Sequence, residues 1–411
     1  MRKITLAAVF AIVALTASLM AFGASPGLAG AKSSPRFPGW YNTNATAAQS
    51  RANLLEKTLT PPAVTKVTHL RSITTPPATG DCRVRNVVAP VPAGNALYAV
   101  TSGEVGKYDP ATGKQIWRKA PPTEYGYESL SSSGNTIVAG AFGCGSASEP
   151  PSIVTAYNAT TGAVLWQDTE RNFDLEGLNQ AAVVGPYVVT AGADAAGYFT
   201  DVVNLSNGKL VWSGGACFPT GAVLPLVVGQ QVVSYGCDIQ GNTAMQGLSL
   251  ATGKRAWSLT GWTFQSGDLS GATGKHLYAT SPAGTVDSLN PLTGKVEYSL
   301  KQAVTVLAVD LSRVYATCGS GGKFVCAYNI STGTLEWQNT TLPSTTALAA
   351  EADGVLYLDF GDALNASTGK VIKTIWTKFR GKSATSIAVG DGRIAVVTNP
   401  HILDLWGLKG S

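Results

Sequence analysis

Residues 108–117 read YDPATGKQIW. The phrase returns as YNATTGAVLW at 157–166, VNLSNGKLVW at 203–212, LSLATGKRAW at 248–257, LNPLTGKVEY at 289–298, YNISTGTLEW at 328–337 and LNASTGKVIK at 364–373. A catalytic motif does not recur seven times in one chain, whereas a structural unit does. The seven copies align on Gly113, Gly162, Gly208, Gly253, Gly294, Gly333 and Gly369, at steps that shorten from 49 to 36 residues. A period in the forties with strand-like apolar runs fits one four-stranded propeller blade. In the sixth unit the expected strands are residues 304–310, 314–318, 324–329 and 334–338, separated by turn residues. No 3.6-residue stripe competes with this reading.

Within the phrase, Asp109, Asn158, Asn204, Ser249, Asn290, Asn329 and Asn365 stand four residues before the glycine. Short polar side chains of this kind hydrogen-bond to backbone a few residues on, and glycine supplies the positive φ of a tight turn. Four residues after the glycine comes Trp117, Trp166, Trp212, Trp257, Tyr298 or Trp337, with Lys373 in the last copy. A large flat ring there can wedge between adjacent blades, removing about 150–250 Å² from water. The phrase is scaffold, and these residues dock blades.

The pattern A-x-D-x-x-T-G-x-x-x-W resembles the tryptophan-docking repeat of quinoprotein alcohol dehydrogenases and related PQQ-like β-propellers. The resemblance spans residues 62–411 and implies an all-β propeller. After Gly369 one further unit has only three strands, at 386–389, 393–398 and 402–406. The unpaired segment Ala63 to Ile73 can supply its outer strand and remove an open edge. Seven full blades and one shared blade predict eight, with seven as the alternative.

Arg2 and Lys3, the apolar residues 6–22 and the small residues Ala29-Gly30-Ala31 predict a signal peptide over residues 1–31. Its retention as a membrane anchor is the alternative. Residues 32–61 read as a flexible leader with one helical turn around Ala48 to Leu55. With Lys+Arg 30 and Asp+Glu 25, the net charge of +5 and the absence of basic runs exclude a nucleic-acid binder.

Export makes disulfides the expected state of the six cysteines, which allow fifteen pairings. The repeat register places all six on the face opposite the TG turns. It predicts Cys82–Cys144, Cys217–Cys237 and Cys318–Cys326. Zinc is disfavoured, since there is no C-x-x-C and His69, His276 and His401 are scattered.

The resemblance also implies what an enzyme of this family would carry: the quinone beside calcium, acidic and Asn ligands, a catalytic Asp and a disulfide between adjacent cysteines. No adjacent cysteine pair occurs here, nor any haem, hydrolase or phosphate-binding motif. No catalytic, metal or cofactor residue is therefore assigned, and PQQ with calcium is unsupported. The connections after the outer strands carry Tyr125, Tyr127, Phe173, Phe218, Trp262 and Phe264 in the first blades only, beside Glu124, Glu128, Gln265 and Asp268. They form the candidate ligand or partner face. The competing reading is that the rings pack between blades. The expected protein is a monomeric, exported, non-enzymatic scaffold recognising a protein or glycan at or outside the cell surface. The alternative is an enzyme, quinone-dependent or carbohydrate-active.

Overall fold

The computed structural model describes residues 50–74, 88–93, 96–101, 103–121, 125–143, 153–168, 180–194, 197–214, 226–237, 241–268, 274–342, 348–376, 384–399 and 401–410. Blade one comprises Val91–Ala93, Ala96–Thr101, Glu104–Tyr108 and Gln115–Lys119, its strands A to D from the inside out. Blades two to seven repeat this antiparallel order over residues 125–168, 180–214, 226–260, 263–300, 303–339 and 349–374. Blade eight takes strands A to C from Ser386–Gly390, Arg393–Asn399 and Ile402–Gly407. Its D strand is Thr68–Thr74, antiparallel to the C strand. The chain is an eight-bladed β-propeller, closed by the N-terminal strand.

Each blade is a sheet with two apolar faces, so the core is cut into slabs between neighbours. One slab joins Tyr98, Val105 and Trp117 of blade one to Tyr127, Ile137 and Tyr157 of blade two. The D-strand rings lock each slab. Every repeat glycine lies at φ between +68° and +74°. Its amide donates to the carbonyl of the Asx or Ser residue four positions earlier, as in Gly253 to Ser249 at 2.8 Å. Ring and turn then meet across the interface. Trp212 lies 2.7 Å from where a Cβ on Gly253 would stand. Its Nε1 donates to the carbonyl of Leu250 at 2.8 Å. Trp117, Trp166, Trp257 and Trp337 donate in the same way to Ala159, Leu205, Pro291 and Ala366, and the Tyr298 hydroxyl to Ile330.

Two interfaces flank blade eight and carry cations instead. Lys373, at the tryptophan position of blade seven, donates from Nζ to the carbonyls of Thr65 at 3.0 Å and Val67 at 2.7 Å. Arg71 pairs with Leu405 just after a bulge, as Trp117 pairs with Lys107. Its Cδ lies 3.2 Å from the Cβ position of Gly113. In both, a ring is replaced by an alkyl stem with a charged tip, and at Lys373 that tip also satisfies backbone.

Residues 50–61, part of the expected leader, pack onto this ring. Ala52–Asn53 is a two-residue strand, parallel to the inner strand of blade seven through Glu351 and Ala352. Val309 of blade six donates to Ser50 O at 2.7 Å, and Asn53 Nδ2 donates to Val389 O of blade eight at 2.8 Å. Buried Leu59 joins the slab around blade eight. Residues 50–55 form no helix; the helical turn lies at Pro61–Val64, where Thr60 caps it and two prolines open it. The expected signal segment and the leader up to residue 49 lie outside the described residues.

Candidate functional site

The candidate face divides once its side chains are placed. Tyr125 and Tyr127 belong to strand A of blade two, Tyr125–Ser133, and not to a connection. Tyr127 is 1% exposed. It meets Tyr157 edge-on at 6.3 Å, the two hydroxyls share a hydrogen bond, and burial raises its pKa. Phe264 lies in strand A of blade five, Thr263–Gly267, stacked on Tyr235 at 5.2 Å. Trp262 stands between strands, half-buried against the same slab. Phe173, Phe218 and Glu124 lie outside the described residues. The structure thus places Tyr127 among packing rings, while Trp262 keeps a solvent-facing part.

The neighbouring polar groups are structural in part. Gln265 accepts from Val306 N at 2.6 Å and donates to Val304 O at 3.1 Å, tying blade five to blade six. Asp268 accepts from Lys275 N through both oxygens at 3.0 Å. Glu128 is buried. On the same face Cys318 and Cys326 are bridged across one hairpin, around a short turn at Ser320–Gly322. Cys237 is disulfide-bonded. Cys82, Cys144 and Cys217, and so the other two predicted pairings, lie outside the described residues.

On the TG-turn side the packed leader creates a site that residue spacing did not signal. Glu56 is 2% exposed. Its Oε1 accepts from the amides of Lys57, Thr58 and Leu59, and its Oε2 accepts from Gly392 N at 3.0 Å. Burial, with Asp310 nearby, raises Glu351 to about 8. Burial, with Glu56 nearby, raises Asp391 to about 6. Arg51 donates to Leu307 O at 3.4 Å, and burial lowers its pKa. Glu56 and Arg51 fasten the leader, and Glu351 accepts from Gly354 N at 2.9 Å. Among the described residues, no three Asp, Glu, His or Cys side chains converge as a metal would need. Among the described residues, that leaves no donor set for a calcium-bound quinone.

The ring of eight four-stranded blades with ring-to-glycine docking defines the class as a PQQ-like β-propeller. The chain belongs to the family described as outer membrane protein assembly factor BamB, whose model matches residues 150–362. No curated protein matches it. Among solved structures it is similar to BamB from Moraxella catarrhalis, at 17% identity and a TM-score of 0.55, over 83% of this chain and 99% of that one. It is also similar to quinohemoprotein alcohol dehydrogenases. That of Comamonas testosteroni gives 13% and 0.59, and ADHIIG of Pseudomonas putida 12% and 0.61, each over 91% of this chain and 81% of the other. At such identities the likeness is one of fold.

Proposed function

We propose that the chain is an exported, non-enzymatic binding scaffold that recognises a protein or glycan partner through the loop face opposite the TG turns. The observation carrying this reading is the match of residues 150–362 to the family described as outer membrane protein assembly factor BamB. The face has a part fixed in shape by the Cys318–Cys326 bridge and a half-exposed anchor in Trp262. Tryptophan at such a position is a frequent hot spot. The residues 1–31 read as a signal peptide support export, which N-terminal sequencing of the mature protein tests.

The experiment is capture by immobilised protein from envelope extract and on a glycan array, with Trp262→Ala and Tyr127→Ala beside wild type. Trp262→Ala should melt within a few degrees of wild type and lose capture, whereas Tyr127→Ala should melt early. Early melting of both variants, or capture untouched by Trp262→Ala, overturns the assignment of this anchor. The likeness to quinohemoprotein dehydrogenases over 91% of the chain favours a second reading, an enzyme. Dye reduction with alcohols or sugars after adding PQQ and calcium would establish it.

A further inference from the structure

We propose that the TG-turn face of the propeller is a peripheral docking surface for an anionic lipid bilayer, a contact that goes beyond the scaffold reading and leaves the opposite face free for a partner. This side is made by the turns that join strand A to B and strand C to D. Within a blade the two turns are bonded to each other. Ala159 donates to Asn135 O and Leu205 to Pro186 O at 2.8 Å, and Leu250 to Gln230 O, Ile330 to Ser312 O and Ala366 to Gly354 O at 2.9 Å. Charges on these turns are therefore presented from fixed backbone.

The two signs of charge are treated differently here. Five of the seven phrases put a lysine directly after the glycine: Lys114, Lys209, Lys254, Lys295 and Lys370. The lysine backbone closes the turn, as where Lys295 N donates to Thr293 Oγ1 at 3.4 Å and its carbonyl accepts from Asn290 N at 2.9 Å. All five side chains are exposed, and none has an acidic partner among the described residues. The acids turn inward instead. Asp109 accepts from Ala111 N at 2.8 Å and Thr112 Oγ1 at 2.6 Å, and Asp310 accepts from the amides of Ser312 and Arg313 at 2.6 and 2.7 Å. Asp268 and Glu56 are buried, and Asp353 and Asp391 are half-buried. Among the described residues of these turns and of segment 50–67, every exposed charged side chain is thus a lysine.

A second observation favours a bilayer over a soluble polyanion: the chain that precedes the ring joins it on this same side. Ser50 O accepts from Val309 N at the end of an inner strand, and Lys57 and Lys66 add exposed charge on the segment that follows. Upstream stand Arg2, Lys3 and the apolar run 6–22. On the export reading, the segment that meets the membrane is therefore tied to the lysine side of the ring. Each lysine close to an anionic headgroup layer adds to binding, within a Debye length of the surface. Several held on one fixed side act together.

The test is flotation of the full chain with phosphatidylcholine vesicles, prepared with and without phosphatidylglycerol. Wild type should bind the anionic vesicles about tenfold or more tightly than the neutral ones, and raised salt should narrow that gap. The triple variant Lys209→Gln, Lys254→Gln, Lys295→Gln should lose about tenfold of the anionic binding with its melting unchanged. Lys301→Gln with Lys323→Gln, both exposed on the opposite face, should bind as wild type does. Equal binding to the two vesicle types assigns attachment to the apolar segment and overturns the proposal. So does binding that the triple variant keeps, or that the opposite-face variant loses to the same degree. Retention on soluble polyphosphate without vesicle binding overturns the bilayer as occupant. Partner capture is read separately, so its loss with anionic-vesicle binding intact places the failure in the scaffold reading alone.

Discussion

Each D-strand ring does three things at once: it fills a slab, covers a glycine in the next blade and satisfies a carbonyl. Trp212 illustrates the cost of removing one. It is buried, donates to Leu250 and lies against Gly253. Trp212→Ala should destabilise by about 3–5 kcal/mol in denaturant unfolding, the range for a large core ring lost with a cavity left behind. Gly253→Ala tests the same contact from the other side, since its Cβ would meet the indole at φ +68°. It too should lower the midpoint. Charge at the residue scale speaks through Glu351, whose folded value of about 8 stands above its usual 4.5 because burial penalises the anion. A raised carboxyl value stabilises fully below about 4.5, and that contribution is lost as pH climbs through 8. Glu351→Gln should therefore flatten the decline in melting temperature between pH 5 and pH 8.5. A parallel decline in both proteins would contradict it.

At the scale of elements, the repeat phrase made the C–D turns, the docking rings and the closing strand legible before any coordinates, because turn chemistry is local. The substitutes flanking blade eight were harder to read. Lys373 is visible as a missing tryptophan, but its role depends on the carbonyls of Thr65 and Val67, more than 300 residues away in sequence. Arg71 belongs to no phrase at all, since the turn that would carry one is interrupted where the chain ends meet. The strand Ala52–Asn53 escaped notice for another reason: two residues paired in parallel carry no periodicity. Lys373→Met keeps the stem and removes the two charge-assisted bonds. It should cost about 1.5–3 kcal/mol, more than the same change at exposed Lys370, as read by denaturant midpoint. Equal effects at the two lysines would assign Lys373 a packing role only.

For the whole molecule, the candidate face was only partly legible. Sequence placed aromatic residues near the ring's inner rim, but strand boundaries decide which of them face solvent. Tyr127 falls inside a strand and so into a slab, while Trp262 falls between two strands. Ring closure itself is testable by truncation. Removing residues 1–49 leaves every described contact in place. Removing residues 1–60 also strips Asn53, Glu56 and Leu59 from their partners and should lower the melting temperature while the ring stays monomeric. Removing residues 1–74 exposes the backbone edge of Ile402–Gly407 and should cause aggregation, seen by light scattering. Equal melting and monomeric behaviour of all three would refute closure by Thr68–Thr74.

The pairing of Thr68–Thr74 with Ile402–Gly407 also sets a clock. His69 and Asp404 meet across 335 residues of chain, so blade eight cannot assemble until residues 402–407 have been synthesised. Through all the preceding elongation, the outward faces of blades one and seven lack their neighbour and stay wet. Long-range pairings of this kind form late and slowly. A stalled or prematurely terminated chain would thus present two sticky sheet faces at once, and quality control would meet this protein most often as an open arc.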